Sequence, residues 1–309
     1  MRRALITSGG GAKGAFTIGA LKCLVANNID QFDIISGTST GSLIAILTAC
    51  REFTLMENIY QQVENDDILK KQNIVDNILN DRPYIYDTDP LLKTIDKNLS
   101  DSMFDRIKSS NTILCLTAIS LQSGKVTVFC TKNIPSGPYY DVKVINTRSQ
   151  LIDAAMASSS QAGFLKPVTI QTGIAADGSK ILEQFVDGGN REVIPTRIAT
   201  TLHPEEIYVL SNNPPVLFPH NPLYTSVMQI ILRAIAIFIQ DVRENDMAVL
   251  KQYRADHPTC RIFRIEPEHD LDPEHPTGLN FSKLQMTIWK SLGVKAAQAA
   301  LQTGGNLNL

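Results

Sequence analysis

No apolar run in this 309-residue chain is long enough to cross a bilayer. The most apolar later stretch, Val227 to Ile239, is interrupted by Gln229 and Arg233. The opening MRRALIT carries two arginines, but its apolar segment is far too short for the core of a signal peptide. The expectation is a cytoplasmic protein whose contact with a membrane, if it makes one, is peripheral and transient. An excess of charge of one sign is also lacking: 29 Lys and Arg stand against 31 Asp and Glu, a formal −2. That balance argues against a nucleic-acid partner, which needs a basic face. Cysteines are few. Cys23, Cys50, Cys115, Cys130 and Cys260 are odd in number and form no C-x-x-C pair, which argues against a disulfide framework or structural zinc. Buried free thiols are the expectation. There is no internal repeat or low-complexity tract, so residues 1–309 read as one domain whose sheet is assembled from distant segments. With 43% apolar and 19% charged residues, the chain has the material for a sizeable core.

What is present begins with a pattern repeated within fifty residues. Ala4 to Thr7 is a short apolar run, followed by Ser8-Gly9-Gly10-Gly11 and then by helical spacing at Phe16, Ile18, Leu21, Leu24 and Val25. Phe32 to Ile35 is a second such run, followed by Ser36-Gly37-Thr38-Ser39-Thr40-Gly41 and an apolar helix over Leu43 to Cys50. Strand, loop and helix twice in succession predict an α/β fold with a parallel sheet and helices on its faces. Residues 52 to 108 read as polar helices, broken at Asp81-Arg82-Pro83 and at Asp89-Pro90. A hairpin is expected over Thr112 to Cys130, a helix from about Ser149, and strands at Pro167 to Ile170, Ile181 to Asp187, Ile207 to Leu210 and Arg261 to Ile265. Prolines 214, 215, 219 and 222 crowd a loop before a long helix over about Tyr224 to Tyr253, and a last helix runs from about Phe281 to Leu301.

Gly37-Thr38-Ser39-Thr40-Gly41 is a G-x-S-x-G sequence between a strand and a helix. A serine on such a turn stands clear of the sheet, and the glycines Gly37 and Gly41 permit backbone approach that a Cβ would block. The helix that follows aims N–H groups at the hydroxyl and favours negative charge there. Gly9-Gly10-Gly11-Ala12-Lys13-Gly14 also follows a strand. It matches the dinucleotide fingerprint, but the acidic residue that fingerprint requires is missing from the far end of the next strand, where Ser36 stands. Three bare glycines followed by a lysine suit an oxyanion site, with Lys13 adding positive field or a structural contact. Five histidines (His203, His220, His257, His269, His275) are available as bases; four of them adjoin a proline, and none has a supporting motif. Asp187-Gly188-Gly189, by contrast, ends a strand and opens a glycine turn, where the carboxylate is placed to face a serine elbow.

GGGAKG at 9–14, GTSTG at 37–41 and DGG at 187–189, in that order, resemble the patatin-like phospholipases, acyl hydrolases that use a Ser-Asp dyad. Residues 87–95, the hairpin at 117–129 and the small-residue run from Ala155 to Pro167 agree with the resemblance, which covers roughly residues 3 to 210 and leaves 211–309 as a C-terminal helical and loop region. It implies a three-layer α/β/α sandwich with a mainly parallel central sheet. It also implies Ser39 as nucleophile, Asp187 as base, and the amides of Gly10, Gly11 and Ala12 as oxyanion donors, with Gly9, Lys13, Gly14, Gly37, Gly41, Gly188 and Gly189 supporting them. The implied reaction is acyl-ester hydrolysis of a lipid or phospholipid, of the phospholipase A or lysophospholipase kind, through an acyl-enzyme and with no metal or organic cofactor. An aspartate at its ordinary ~3.9 is a feeble base, so burial that raises it is expected. The chain departs from the family at Ala162-Gly163, where a proline is usual, and at Val193, where an asparagine is common. Two other functions remain open: a nucleotide-binding module built on the 9–14 loop, and acyl transfer to a thiol or alcohol.

Two further features are expected to be structural. Asp177-Gly178 reads as a hairpin tip. Glu266, Glu268, His269, Asp270, Asp272, Glu274 and His275 read as a solvated acidic loop rather than a metal site, because prolines interrupt them and no helical pair of ligands is present. The helix over 224–253 admits a core reading and a lipid-facing one. Its apolar residues wrap widely around the first half, so the core reading is the expectation.

Overall fold

A computed structural model describes every residue except 72–83, 220–222, 276 and 306–309. The break expected at Asp81-Arg82-Pro83, the proline at 222 and His220 therefore lie outside the described residues. The first apolar run forms β1 (Arg3–Thr7) and the second β2 (Ile34–Thr38), with α1 (Gly14–Ala26) and α2 (Thr40–Ala49) after them. The polar segment that follows supplies α3 (Phe53–Gln62), α4 (Asn65–Ile68), α5 (Asp89–Asn98) and α6 (Asp101–Ser109), with Pro90 in the first turn of α5. A small antiparallel pair is formed by β3 (Lys70–Lys71) and β4 (Tyr86–Asp87).

The main sheet runs β11 (Arg261–Ile265), β10 (Glu206–Leu210), β1, β2, β5 (Ile113–Ser120), β6 (Val126–Cys130), β7 (Tyr140–Val144). From β11 to β5 every pair is parallel; β5 and β6 form the expected antiparallel hairpin. Strand β7, which pairs parallel to β6, had no signal in the sequence beyond a short polar alternation. A second hairpin, β8 (Val168–Ile174) and β9 (Lys180–Asp187), turns at Asp177-Gly178, where the Gly178 amide donates to the Ala175 carbonyl. The remaining helices are α7 (Arg148–Ser159), α8 (Thr196–Thr201), α9 (Val227–Asp256) and α10 (Lys283–Gln302).

Period-two alternation sorts the strand side chains into two cores. Leu5, Ile35, Leu114 and Leu116 pack beneath α1, α2, α7 and α10, whereas Ala4, Ile6, Ile34, Ile207 and Val209 pack against residues of α8 and the second half of α9. The result is the expected three layers. All five cysteines are buried free thiols.

The core reading of α9 holds for its second half only. Met247, Leu250 and Tyr253 are buried on the sheet, but Val227, Ile230, Ile231 and Phe238 are exposed. The reason is length. A 30-residue helix extends about 45 Å, against about 17 Å for the five-residue strands it covers. The first half therefore overhangs the sheet. Among the described residues no helix is long and apolar enough to cross a membrane.

Candidate active site

Strand register brings the serine elbow and the aspartate turn together. β2 runs parallel to β5 and ends with Thr38 opposite Thr117. β9 runs antiparallel to β5 along the same edge, and its last residue, Asp187, lies opposite Ala118. Two strands thus approach one another end to end, and the residue after one end, Ser39, meets the residue at the other.

Ser39 has φ +58°, a left-handed conformation for a non-glycine residue, as a sharp strand-to-helix turn demands. Its amide donates to the Ser158 hydroxyl at 3.0 Å, and its carbonyl accepts the Ser42 amide at 2.8 Å and the Ser42 hydroxyl at 2.6 Å. Gly41 is needed for close approach: a Cβ there would lie 2.3 Å from the Thr7 carbonyl oxygen. Gly37 lies within β2, Gly14 opens α1, and Gly188 and Gly189 form the short turn after β9.

Asp187 is buried beside the Ser39 side chain, and its carboxylate accepts the Gly189 amide at 2.7 Å. Burial pushes its carboxyl up to about 6 and outweighs the Ser39 hydroxyl and the Gly189 amide, which pull it down. That is the direction a carboxylate base requires. Among the described residues no histidine lines the site. His257 stacks on Tyr253 with His203 tilted against it, His269 meets Phe218 edge-on, and His275 pairs with Asp272.

The glycine loop borders Ser39. Gly9, Gly10 and Gly11 line the same cavity as Ser39 and Asp187, and the Gly9 amide is tied to the Val193 carbonyl at 3.1 Å. Ala12, expected as a third oxyanion donor, has a different partner: its amide donates to the Gly278 carbonyl at 2.8 Å. The 3-10 turn over Gly11–Lys13 aims that N–H at the 277–281 loop. Gly11 has φ +57°, and a Cβ there would stand 2.2 Å from the Gly278 oxygen. Lys13 is a structural contact. Its buried ammonium is 3.4 Å from both Asp270 and Asn213. The 266–275 segment is correspondingly less solvated than the sequence implied: Glu266 pairs with Arg243 and Arg264, Asp270 with Lys13, and Asp272 with His275. Among the described residues no three His, Cys, Asp or Glu side chains are grouped to hold a metal ion.

From the Ser39–Asp187 contact a cavity of about 230 Å³ extends between α2, α3 and α5. Its walls are largely apolar, including Leu47, Ile59, Leu91, Ile95, Phe164 and Ile239. Both departures from the family pattern fall here, since Ala162 and Val193 also line it. Sequence reasoning missed the contributions of α3, α5 and α9, because distant helices reveal no shared cavity in their periodicity alone.

A family model described as Patatin-like phospholipase matches residues 5–200. The chain is 27% identical over 182 residues to the cGAMP-activated phospholipase of Escherichia coli (strain TW11681), a match that covers 53% of this chain and 48% of that protein. It therefore spans about half the length of that relative. Similar solved structures include VipD from Legionella pneumophila, with a TM-score of 0.44 and 12% identity over 98% of this chain and 67% of that one. The type III effector protein ExoU matches with a TM-score of 0.43 and 11% identity over 97% and 52%. With its three glycine-marked motifs inside a family match that spans residues 5–200, the chain belongs to the patatin-like phospholipase family.

Proposed function

We propose that this protein hydrolyses the acyl esters of lipids, as a phospholipase A or lysophospholipase, with Ser39 as nucleophile and Asp187 as its base. The observation that carries the reading is the placement of the Ser39 side chain beside a buried carboxylate at one end of an apolar cavity. Asp187 takes the hydroxyl proton as Ser39 attacks the ester carbonyl. The amides of Gly10 and Gly11 receive the oxyanion, while Ala12 and Lys13 hold the loop in place through Gly278 and Asp270. Asp187 then passes the proton to the leaving alcohol. A water molecule, deprotonated by the same carboxylate, attacks the acyl-enzyme and regenerates Ser39.

The apolar walls support an acyl chain as occupant rather than a nucleotide, and Lys13, the one Lys or Arg lining the cavity among the described residues, is paired with Asp270. Exposed apolar residues on α9, next to the cavity-lining Ile235 and Ile239, support contact with a lipid surface during turnover. The test is hydrolysis of a short-chain p-nitrophenyl ester and of phospholipid by the wild type, Ser39→Ala and Asp187→Asn. Loss in both variants is expected; retained activity in both removes the dyad.

A further inference from the structure

Helix α7 ends on Ser158 and Ser159, with Ser160 as its C-cap, and all three are buried. A buried hydroxyl is costly unless it finds a partner. Ser160 turns its own back to the Met156 carbonyl at 2.8 Å, one helical turn earlier. The other two go to the serine elbow. The Ser158 oxygen accepts the Ser39 amide at 3.0 Å, and the Ser159 hydroxyl donates to the Ser39 carbonyl at 3.4 Å. Asp187 is tied to the same place. Its amide donates to the Ser160 carbonyl at 2.8 Å, one of those that a helix end leaves without an intrahelical donor. Two oxygens of one helix end, on Ser158 and Ser160, thus receive the main-chain amides of both residues.

The helix is a firm base for this. Leu151, Ile152, Ala154, Ala155 and Ala157 lie in the core, and α7 packs against α2, β5 and β9. Strand register brings Ser39 and Asp187 to neighbouring positions along β5, but it does not set the rotation of the elbow. Ser39 lies just outside β2 at φ +58° and ψ −130°, a pairing that non-glycine residues adopt at a cost and that needs holding. The two serine contacts are unequal holders. The Ser39 carbonyl already accepts the Ser42 amide at 2.8 Å and the Ser42 hydroxyl at 2.6 Å, so Ser159 adds little. Removing the Ser158 oxygen, by contrast, takes away the acceptor of the Ser39 amide. Ser159 lines the cavity and Ser158 does not, so Ser158 acts through Ser39 and not on a substrate. The same bond commits the Ser39 amide to α7, which leaves oxyanion donation to the glycine loop.

We propose that Ser158 is a positioning residue for the nucleophile. By accepting the Ser39 amide it sets the rotation of the elbow, so that the Ser39 hydroxyl faces Asp187, itself anchored at Ser160 on the same helix end. The catalytic consequence rests on the Ser39–Asp187 reading; the hydrogen bond does not.

Kinetics and hydrogen exchange test this separately. Ser158→Ala removes the acceptor and little volume. For a short-chain ester its kcat is expected to fall by roughly tenfold or more with KM within about twofold, as loss of alignment without loss of binding would produce. Ser158→Thr keeps an oxygen at that position and is expected to recover kcat to within about threefold of wild type. An Ala variant as active as wild type, or a folded Thr variant as impaired as Ala, overturns the proposal. Circular dichroism melting identifies a variant that fails to fold, and the other variant then carries the test. Exchange reads the contact without catalysis. In Ser158→Ala the Ser39 amide, resolved by overlapping peptides and mass spectrometry, is expected to exchange faster by roughly tenfold or more, while β1 keeps its rate. Unchanged exchange at Ser39 overturns the hydrogen bond. A wild type that hydrolyses no ester, yet protects the Ser39 amide in a Ser158-dependent way, defeats the dyad and leaves the hydrogen bond standing. Hydrolysis abolished by Ser39→Ala but untouched by Ser158→Ala does the reverse.

Discussion

Thr38 and Asp187 lie opposite consecutive residues of a single strand, Thr117 and Ala118 of β5. That register places Ser39 against the aspartate carboxylate although 148 positions separate them in sequence. It also buries the carboxylate, since a strand end inside a sheet is screened from water by its neighbours. Burial in turn raises the proton affinity of Asp187, so one feature of topology sets both the position and the strength of the proposed base.

The first prediction is a pH dependence with a definite sign. Hydrolysis of a short-chain ester, followed as kcat/KM, is expected to rise with pH and to have its acidic midpoint at about 6, where Asp187 ionises. Stability runs the other way. The folded protein holds this proton more tightly than the unfolded chain, so the contribution is greatest below 3.8 and is lost as pH rises to about 6. The difference corresponds to roughly 3 kcal/mol of preference for the neutral carboxyl. Asp187→Asn is therefore expected to melt at a higher temperature than wild type at pH 8 while losing activity; a lower melting temperature contradicts the linkage.

Gly11→Ala tests the contact between the glycine loop and the C-terminal loop. The new Cβ would sit 2.2 Å from the Gly278 carbonyl oxygen on a backbone at φ +57°. A loss of about 1–3 kcal/mol in denaturant unfolding is expected, together with weaker catalysis because the neighbouring oxyanion amides move. Wild-type stability and activity would show that the two loops are not in contact.

Chain-length selectivity should respond to the cavity wall. Ile59, half-buried on α3, lines the cavity, and Ile59→Trp fills part of its ~230 Å³. Hydrolysis of long-chain esters is expected to drop by roughly tenfold or more, with short-chain esters within about threefold of wild type. Equal losses on both would place the acyl chain elsewhere.

Ile231 and Phe238, 44% and 65% exposed on α9, test the lipid contact. Replacing both with serine is expected to slow hydrolysis of phospholipid vesicles by roughly tenfold while leaving soluble esters and thermal stability unchanged. An unaltered vesicle rate removes this face from interfacial contact.

The legible parts of the site were those encoded within a few residues. Strand-loop-helix patterning exposed Ser39 and the glycine loop, and a strand ending in Asp-Gly-Gly exposed Asp187. What joins them is register, and register depends on which segment of β5 each strand finds. The Ala12 amide shows the same limit: its partner is a carbonyl at position 278, and nothing near Ala12 announces it. Glu192 and Asp246, both buried, were silent because an isolated acidic residue on a turn or a helix reads as solvated until burial is known. For α9 the error was one of length. Its apolar half looked like core, but the short strands leave it nothing to cover.

The most direct test of the central claim is fluorophosphonate labelling followed by mass spectrometry of the modified peptide, with wild type and Asp187→Asn compared at pH 7.5. The expected result is a single adduct on the peptide bearing Ser39, formed more slowly by roughly a hundredfold or more when the aspartate is removed. An adduct on another peptide, or an undiminished rate in Asp187→Asn, would contradict the pairing of that hydroxyl with that carboxylate.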